Sequence, residues 1–252
     1  MNPTPTAAPP APDPDLAQFY ADDAAWYVKQ LPLEHFMEST AQATQRKITV
    51  AAFDGIATVR PDVQCFSELL IQYGRTPPEK PERVVPDNFV VVYPTPIAVE
   101  GSYPLDLVPA RPLFVLEYVS KGNARKDTED NMTRYEQALR VPYFLLFYPD
   151  ADELTLFRLA GGQYRTVGEN DVGRRAVPEL ELEVALVDGW VRFWFRGALM
   201  PMTSELTRQL AAERAALSVE RAARAAAERE RDAERAARQA LEAELARLRA
   251  GA

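Results

Sequence analysis

The sequence has almost none of the soft metal ligands: one cysteine, Cys65, and one histidine, His35, in 252 residues. A single cysteine excludes an internal disulfide and any multi-cysteine zinc site. Nothing pairs with His35 in a triad-like pattern, so it is read as structural. Cys65 is read as inert packing at a buried strand position. No stretch approaches the roughly 20 apolar residues that cross a bilayer. The N-terminus also lacks the basic and apolar regions of a signal peptide. The expected location is the cytoplasm, with no membrane partner. Acids outnumber bases, 37 to 29. The formal net charge is −8, made up of +1 from Thr203 to Ala252 and −9 from the residues before Thr203. Affinity for phosphate backbones comes from basic groups displacing counterions. A head this acidic therefore argues against a stable, general DNA binder. It does not exclude a nuclease, because metal-binding carboxylates themselves add negative charge.

Two segments lack what a core requires. Met1 to Pro14 holds six prolines and almost nothing apolar beyond alanine, and is expected to be a disordered arm. Thr203 to Ala250 contains no aromatic, glycine or proline, and its Ala, Arg and Glu predict one helix of about 45 residues, roughly 65–70 Å long. Between them, residues 15–200 carry the aromatics and are expected to form one domain.

Within that domain, Leu16, Phe19, Tyr20 and Tyr27 suit a helix over Asp15 to Leu31. A second helix is expected from near Glu34 towards Ile56. Residues 62–70 alternate as a strand would, ending before Gly74 and Pro77-Pro78. Asn88–Tyr93, Pro112–Val119 and Val141–Tyr148 are short apolar runs, as strands covered on both faces would be. Asp127 to Leu139 reads as an amphipathic helix with Met132, Tyr135 and Leu139 on one side. Leu154–Arg158 and Gln163–Val167, joined by Gly161-Gly162, predict a hairpin. Closing strands are expected between Pro178 and Arg196. The fold class is therefore α/β (α+β), a mixed central sheet flanked by helices.

Two acids stand where a hard cation would want them. Asp87 opens one apolar strand after Pro86, and Glu117 interrupts another between Leu116 and Tyr118. A carboxylate inside an apolar strand is costly unless it is paired, protonated or metal-bound. Carboxylates on adjacent strands can share Mg²⁺ (or Mn²⁺), which keeps waters in its other positions. One such water, acidified, could attack a phosphodiester. Other readings stand beside this one. Asp87 could serve only as a strand-start residue, and Glu117 could pair with Lys121, Arg125 or Lys126. Glu38 and Glu68 could extend the acidic cluster, although helix-surface and edge-strand roles suit them as well.

The run Pro86-Asp87, Phe114-Val115-Leu116-Glu117-Tyr118-Val119-Ser120-Lys121, Asp127, Tyr135 and Val141-Pro142-Tyr143-Phe144 resembles the Uma-type restriction endonuclease family, within the PD-(D/E)XK superfamily. The resemblance covers about Glu34 to Val167. It implies a restriction-endonuclease-like core, with DNA as the substrate and Mg²⁺ or Mn²⁺ as the cofactor. Asp87 and Glu117 become metal ligands and the Tyr118 carbonyl a third. Lys121 faces the same side as Glu117 if the strand continues, so it is the candidate catalytic lysine, with an ammonium that could reach an attacking water or a scissile phosphate. The chain departs from the family pattern at Val119 and Asn131, where a lysine is usual, and at Gln42, where many relatives carry histidine. These departures leave a second possibility, a nuclease-fold binding or assembly protein.

In the C-terminal helix, leucines 206, 210, 217, 241, 245 and 248 fit one a/d register. The same register holds Glu220, Arg224, Arg231, Glu234 and Arg238, while an alanine–valine stripe lies offset from it. A solvated single helix and a weak coiled coil, formed with another copy or a second protein, both satisfy this pattern.

Overall fold

The strands fall where apolar residues dominate a short run. Phe114–Tyr118 (β6) is covered on both faces, and its side chains feed two cores on opposite sides of the sheet. The computed structural model describes residues 13–31, 39–74, 79–119 and 130–250. His35, Glu38, Lys121, Asp127 and nearly all of the proline-rich arm lie outside the described residues. The chain divides into two units, Met1–Met200 and Pro201–Ala252.

The first unit opens with helix α1, Pro14–Val28, capped by the Asp13 carboxylate accepting from the Asp15 N–H at 3.0 Å. Helix α2 spans Thr40–Ala57, and the Ser39 hydroxyl caps it by accepting from the Gln42 N–H at 3.1 Å. The strands are β1 Val63–Ser67, β2 Leu70–Tyr73, β3 Glu82–Val84, β4 Asn88–Val92, β5 Ser102–Pro104, β6, β7 Tyr143–Tyr148, β8 Glu153–Ala160, β9 Gln163–Thr166, β10 Arg175–Val177, β11 Leu182–Val187, β12 Trp190–Phe195 and β13 Ala198–Leu199. They build a six-stranded sheet ordered β1-β4-β6-β7-β8-β9, a four-stranded sheet β10-β11-β12-β13 and a three-stranded sheet β3-β2-β5.

In the large sheet only β6 and β7 pair in parallel. A parallel pair needs a crossover, because a tight turn cannot reverse the chain twice. Residues 130–139 in that crossover are helical, and Arg134–Leu139 winds as a π-helix that ends at Arg140 in the left-handed region (φ 54°). One face of the sheet packs against α2 through Ala52, Phe53 and Ile56, with Phe53 against Phe114 and Phe193 at 6.2 and 5.5 Å between ring centroids. The other face meets Tyr135 and Leu139 of the π-helix and Ile71, Tyr73 and Tyr103 of the small sheet. Each such aromatic or branched side chain contributes roughly 1.5–3 kcal/mol by leaving water.

The fold is the expected mixed α/β arrangement, with one strand corrected. Residues 62–70 do not form a single strand. Glu68 adopts φ 49° and splits them into β1 and β2, which belong to different sheets. The left-handed kink is held from outside the segment. The Glu68 N–H donates to the Asp87 carbonyl at 3.2 Å, and the Glu68 carboxylate pairs with Arg46.

The second unit is one α-helix, Thr203–Ala250. Among the described residues no helix is long and apolar enough to cross a membrane.

Candidate active site

β4 and β6 run antiparallel with Asn88 opposite Leu116. One step further along each strand, that register sets Asp87 beside Glu117. The two carboxyl groups lie close enough to share a proton. Asp87 accepts on one oxygen from the Tyr118 N–H at 2.6 Å, and on the other from the Gln42 side-chain amide at 3.0 Å. The Tyr135 hydroxyl donates to the Glu117 Oε1 at 2.5 Å. The site thus draws on four elements, α2, β4, β6 and the π-helix. Helical π-distortions are frequent at functional sites, and here one aims a phenol at the central carboxylate.

The electrostatics are those of two like charges held where water is thin. Burial, then the neighbouring Asp87 charge, raise Glu117 well above the usual carboxylate range. Burial also raises Asp87, against the pull of the Tyr118 amide, Gln42 and, more weakly, Arg46. Burial and the Glu117 charge push the Tyr135 phenol well up in turn, so it remains a donor. Two adjacent carboxyls in this state either share a proton or neutralise a cation. Both residues fall in the partly buried class rather than the fully buried one.

The donor set fits a hard divalent ion. Among the described residues, no group of three His, Cys, Asp or Glu side chains converges. A Mg²⁺-type site does not require one, because this ion is commonly held by one or two carboxylates with waters and substrate phosphate completing the shell. The backbone adds a further oxygen. In an extended strand the N–H and C=O of one residue point the same way, and the Tyr118 N–H points at Asp87. Its carbonyl therefore faces the Asp87 side of β6.

The remaining sequence candidates fall as follows. Val119 is 9% exposed and packs into the core beneath the π-helix, so no cation occupies that position. Asn131 accepts a 3.2 Å bond from Arg134. Glu68 points away into its pair with Arg46, and its amide, not its carboxylate, ties it to Asp87. Cys65 packs at the edge of a core, and burial pushes its thiol up to about 12, in keeping with inertness. Lys121 lies outside the described residues. Sequence reasoning took Tyr135 for a core-facing residue only, whereas it is also the hydrogen-bond partner of Glu117. It missed Ser39, which bonds the Tyr118 hydroxyl. The motif containing Tyr135 was the only available signal for the first. Ser39 gave only its place before a helix and within a looser stretch of the family resemblance, Met37-Glu38-Ser39-Thr40.

Residues 38–189, more than half of the chain, match the family model Uma2, described as "Putative restriction endonuclease". The chain belongs to the Uma2 family. The matched Uma2 region takes in Asp87, Glu117, Gln42 and Tyr135. One similar solved structure is that of a "putative nuclease belonging to DUF820" from Anabaena variabilis, with 16% identity and a TM-score of 0.43, covering 57% of this chain and 75% of that one. No curated protein matches the chain.

Proposed function

We propose that this Uma2-family chain is a Mg²⁺- or Mn²⁺-dependent endonuclease that hydrolyses DNA phosphodiester bonds in the cytoplasm. The observation that carries the reading is the meeting of Asp87 and Glu117 in the cluster described above. When bound, the ion would supply a more acidic water and neutralise phosphate charge. Asp87 and Glu117 would hold it, with the Tyr118 carbonyl as a third protein ligand. Gln42 and Tyr135 fix the rotamers of the two acids and thereby orient them. Outer hydrogen bonds of this kind commonly tune metal affinity. Lys121, four residues beyond Glu117, is assigned the cationic role beside the attacked phosphate.

Incubation of a DNA duplex with the full chain and Mg²⁺ or Mn²⁺ tests this reading. The parent protein is expected to cleave, and Asp87→Ala to lose roughly 10²-fold or more in rate, as when a preorganised transition-state contact is removed. Equal rates for the two proteins would remove the proposal.

One observation favours a second reading, a weakened or inactive nuclease-fold protein that binds or assembles. The strand position two residues after Glu117, on the same face, is filled by the buried Val119. A chain that binds Mn²⁺ but leaves every DNA substrate intact would favour this alternative.

A further inference from the structure

The helix Thr203–Ala250 presents a seam with no partner in its own unit. Placing Leu210 at an a position puts Leu210, Leu217, Arg224, Arg231, Arg238 and Leu245 at successive a positions. The d positions are then Leu206, Glu213, Glu220, Ala227, Glu234, Leu241 and Leu248. The leucines cluster at the two ends, and Leu206, Leu210, Leu217, Leu241 and Leu245 are 44–62% exposed. The charges between them are sorted by position. Every charged a residue is arginine, and every charged d residue is glutamate.

That sorting decides orientation. In a parallel pair, a meets a and d meets d. Three arginines would then face their own copies, and three glutamates theirs. In an antiparallel pair, a meets d, so arginine faces glutamate. We infer that this helix pairs antiparallel with the same helix of a second copy of the chain. In one register, Leu206 and Leu210 face Leu245 and Leu241 of the other helix, while Glu213 and Glu220 face Arg238 and Arg231. Two-fold symmetry repeats each pairing, so leucine layers close both ends, and the middle holds these ion pairs between layers that set Leu217 against Glu234 and Arg224 against Ala227. A register one heptad away sets Leu210 and Leu217 against Leu248 and Leu241, and Glu220 and Glu234 against Arg238 and Arg224. Both registers have the same polarity. Arg224 and Arg238 already lean on Glu228 and Glu242 of their own helix at 3.3 and 3.1 Å. A guanidinium has five donors, so these bonds leave it able to reach across. The inference does not rest on the catalytic reading, because an inactive chain would pair in the same way.

Light scattering on the full chain is expected to give twice the 28.2 kDa monomer mass. Glu213→Arg with Glu220→Arg should weaken self-association at least 10-fold. Mixing that protein with an Arg231→Glu, Arg238→Glu protein should restore the dimer. Polarity is read by cysteine pairing, with a Cys65→Ser background to remove the native thiol. A mixture of Leu206→Cys and Leu245→Cys proteins, or of Leu210→Cys and Leu248→Cys proteins, should form the mixed disulfide on oxidation. Leu206→Cys alone should not, because its two copies lie roughly 60–70 Å apart along an antiparallel rod at 1.5 Å per residue. A monomer at tens of micromolar, or efficient self-linking of Leu206→Cys, would overturn the inference.

Discussion

Two enclosed carboxyl clusters in the head have opposite electrostatics. At the first, Asp23 of α1 is 7% exposed and accepts from Gln72 at 2.8 Å and from two nitrogens of Arg83. Burial alone would raise its pKa, but the hydrogen bonds of Arg83 and Gln72 outweigh burial and hold it below the usual range. At the second, Asp87 and Glu117 face each other, and both are raised. The first cluster is complete within the chain, and it ties α1 to the small sheet. The second sets two raised acids side by side, and a proton or a bound cation would relieve their repulsion. A balanced acid is a structural part, and an unbalanced pair is a candidate site.

The largest effect that would sharpen this contrast is on rate. Asp87→Asn and Glu117→Gln are each expected to reduce metal-dependent DNA cleavage by roughly 10²–10³-fold. Arg83→Ala should leave the rate of the folded protein within a few fold. An Arg83→Ala protein as inactive as Glu117→Gln at equal folded fraction would break the distinction. Stability should respond in the reverse order. Arg83→Ala leaves a buried charge unpaired, which costs about 3–5 kcal/mol and is measurable by denaturant unfolding.

The two clusters should also carry opposite pH signatures. Asp23 is lowered in the folded state, so its contribution is present above its unfolded value of about 3.9 and is lost as pH falls through the folded value. Glu117 is raised, so its contribution is full below its unfolded value of about 4.3. It is lost as pH rises through the folded value. Without metal, Glu117→Gln should therefore be more stable than the parent at neutral pH, by on the order of 1 kcal/mol or more. The gain should fade towards pH 4. Melting curves from pH 4 to 8 check this, and a gain that grows on acidification would contradict it. The smallest expected effect is at the supporting groups. Tyr135→Phe and Gln42→Ala should each weaken divalent-ion affinity about 10-fold, at the low end for outer-shell partners.

Much of the head was legible because its strands are apolar on both faces. Asn88–Val92, Phe114–Tyr118 and Tyr143–Tyr148 lie inside the runs expected for them. Glu117 stood out for the same reason, since a carboxylate in such a run requires a partner. The break at Glu68 left only the adjacent polar pair Ser67-Glu68 as a signal, because the kink is held by Asp87 and Arg46 from elsewhere in the chain. Strands β3, β5, β10 and β13, of two or three residues, are too short to show a period. The phenol of Tyr135 was hidden by its own burial. A tyrosine on the apolar side of a helix has the pattern of packing whether or not its hydroxyl meets an acid.

The most direct measurement is calorimetric titration of the full chain with Mg²⁺ and Mn²⁺, run in parallel on Glu117→Gln and Arg83→Ala. The account predicts saturable binding to the parent and to Arg83→Ala, with proton release on binding near neutral pH, and no binding to Glu117→Gln. Equal binding by the parent and Glu117→Gln, or none by either, would contradict it.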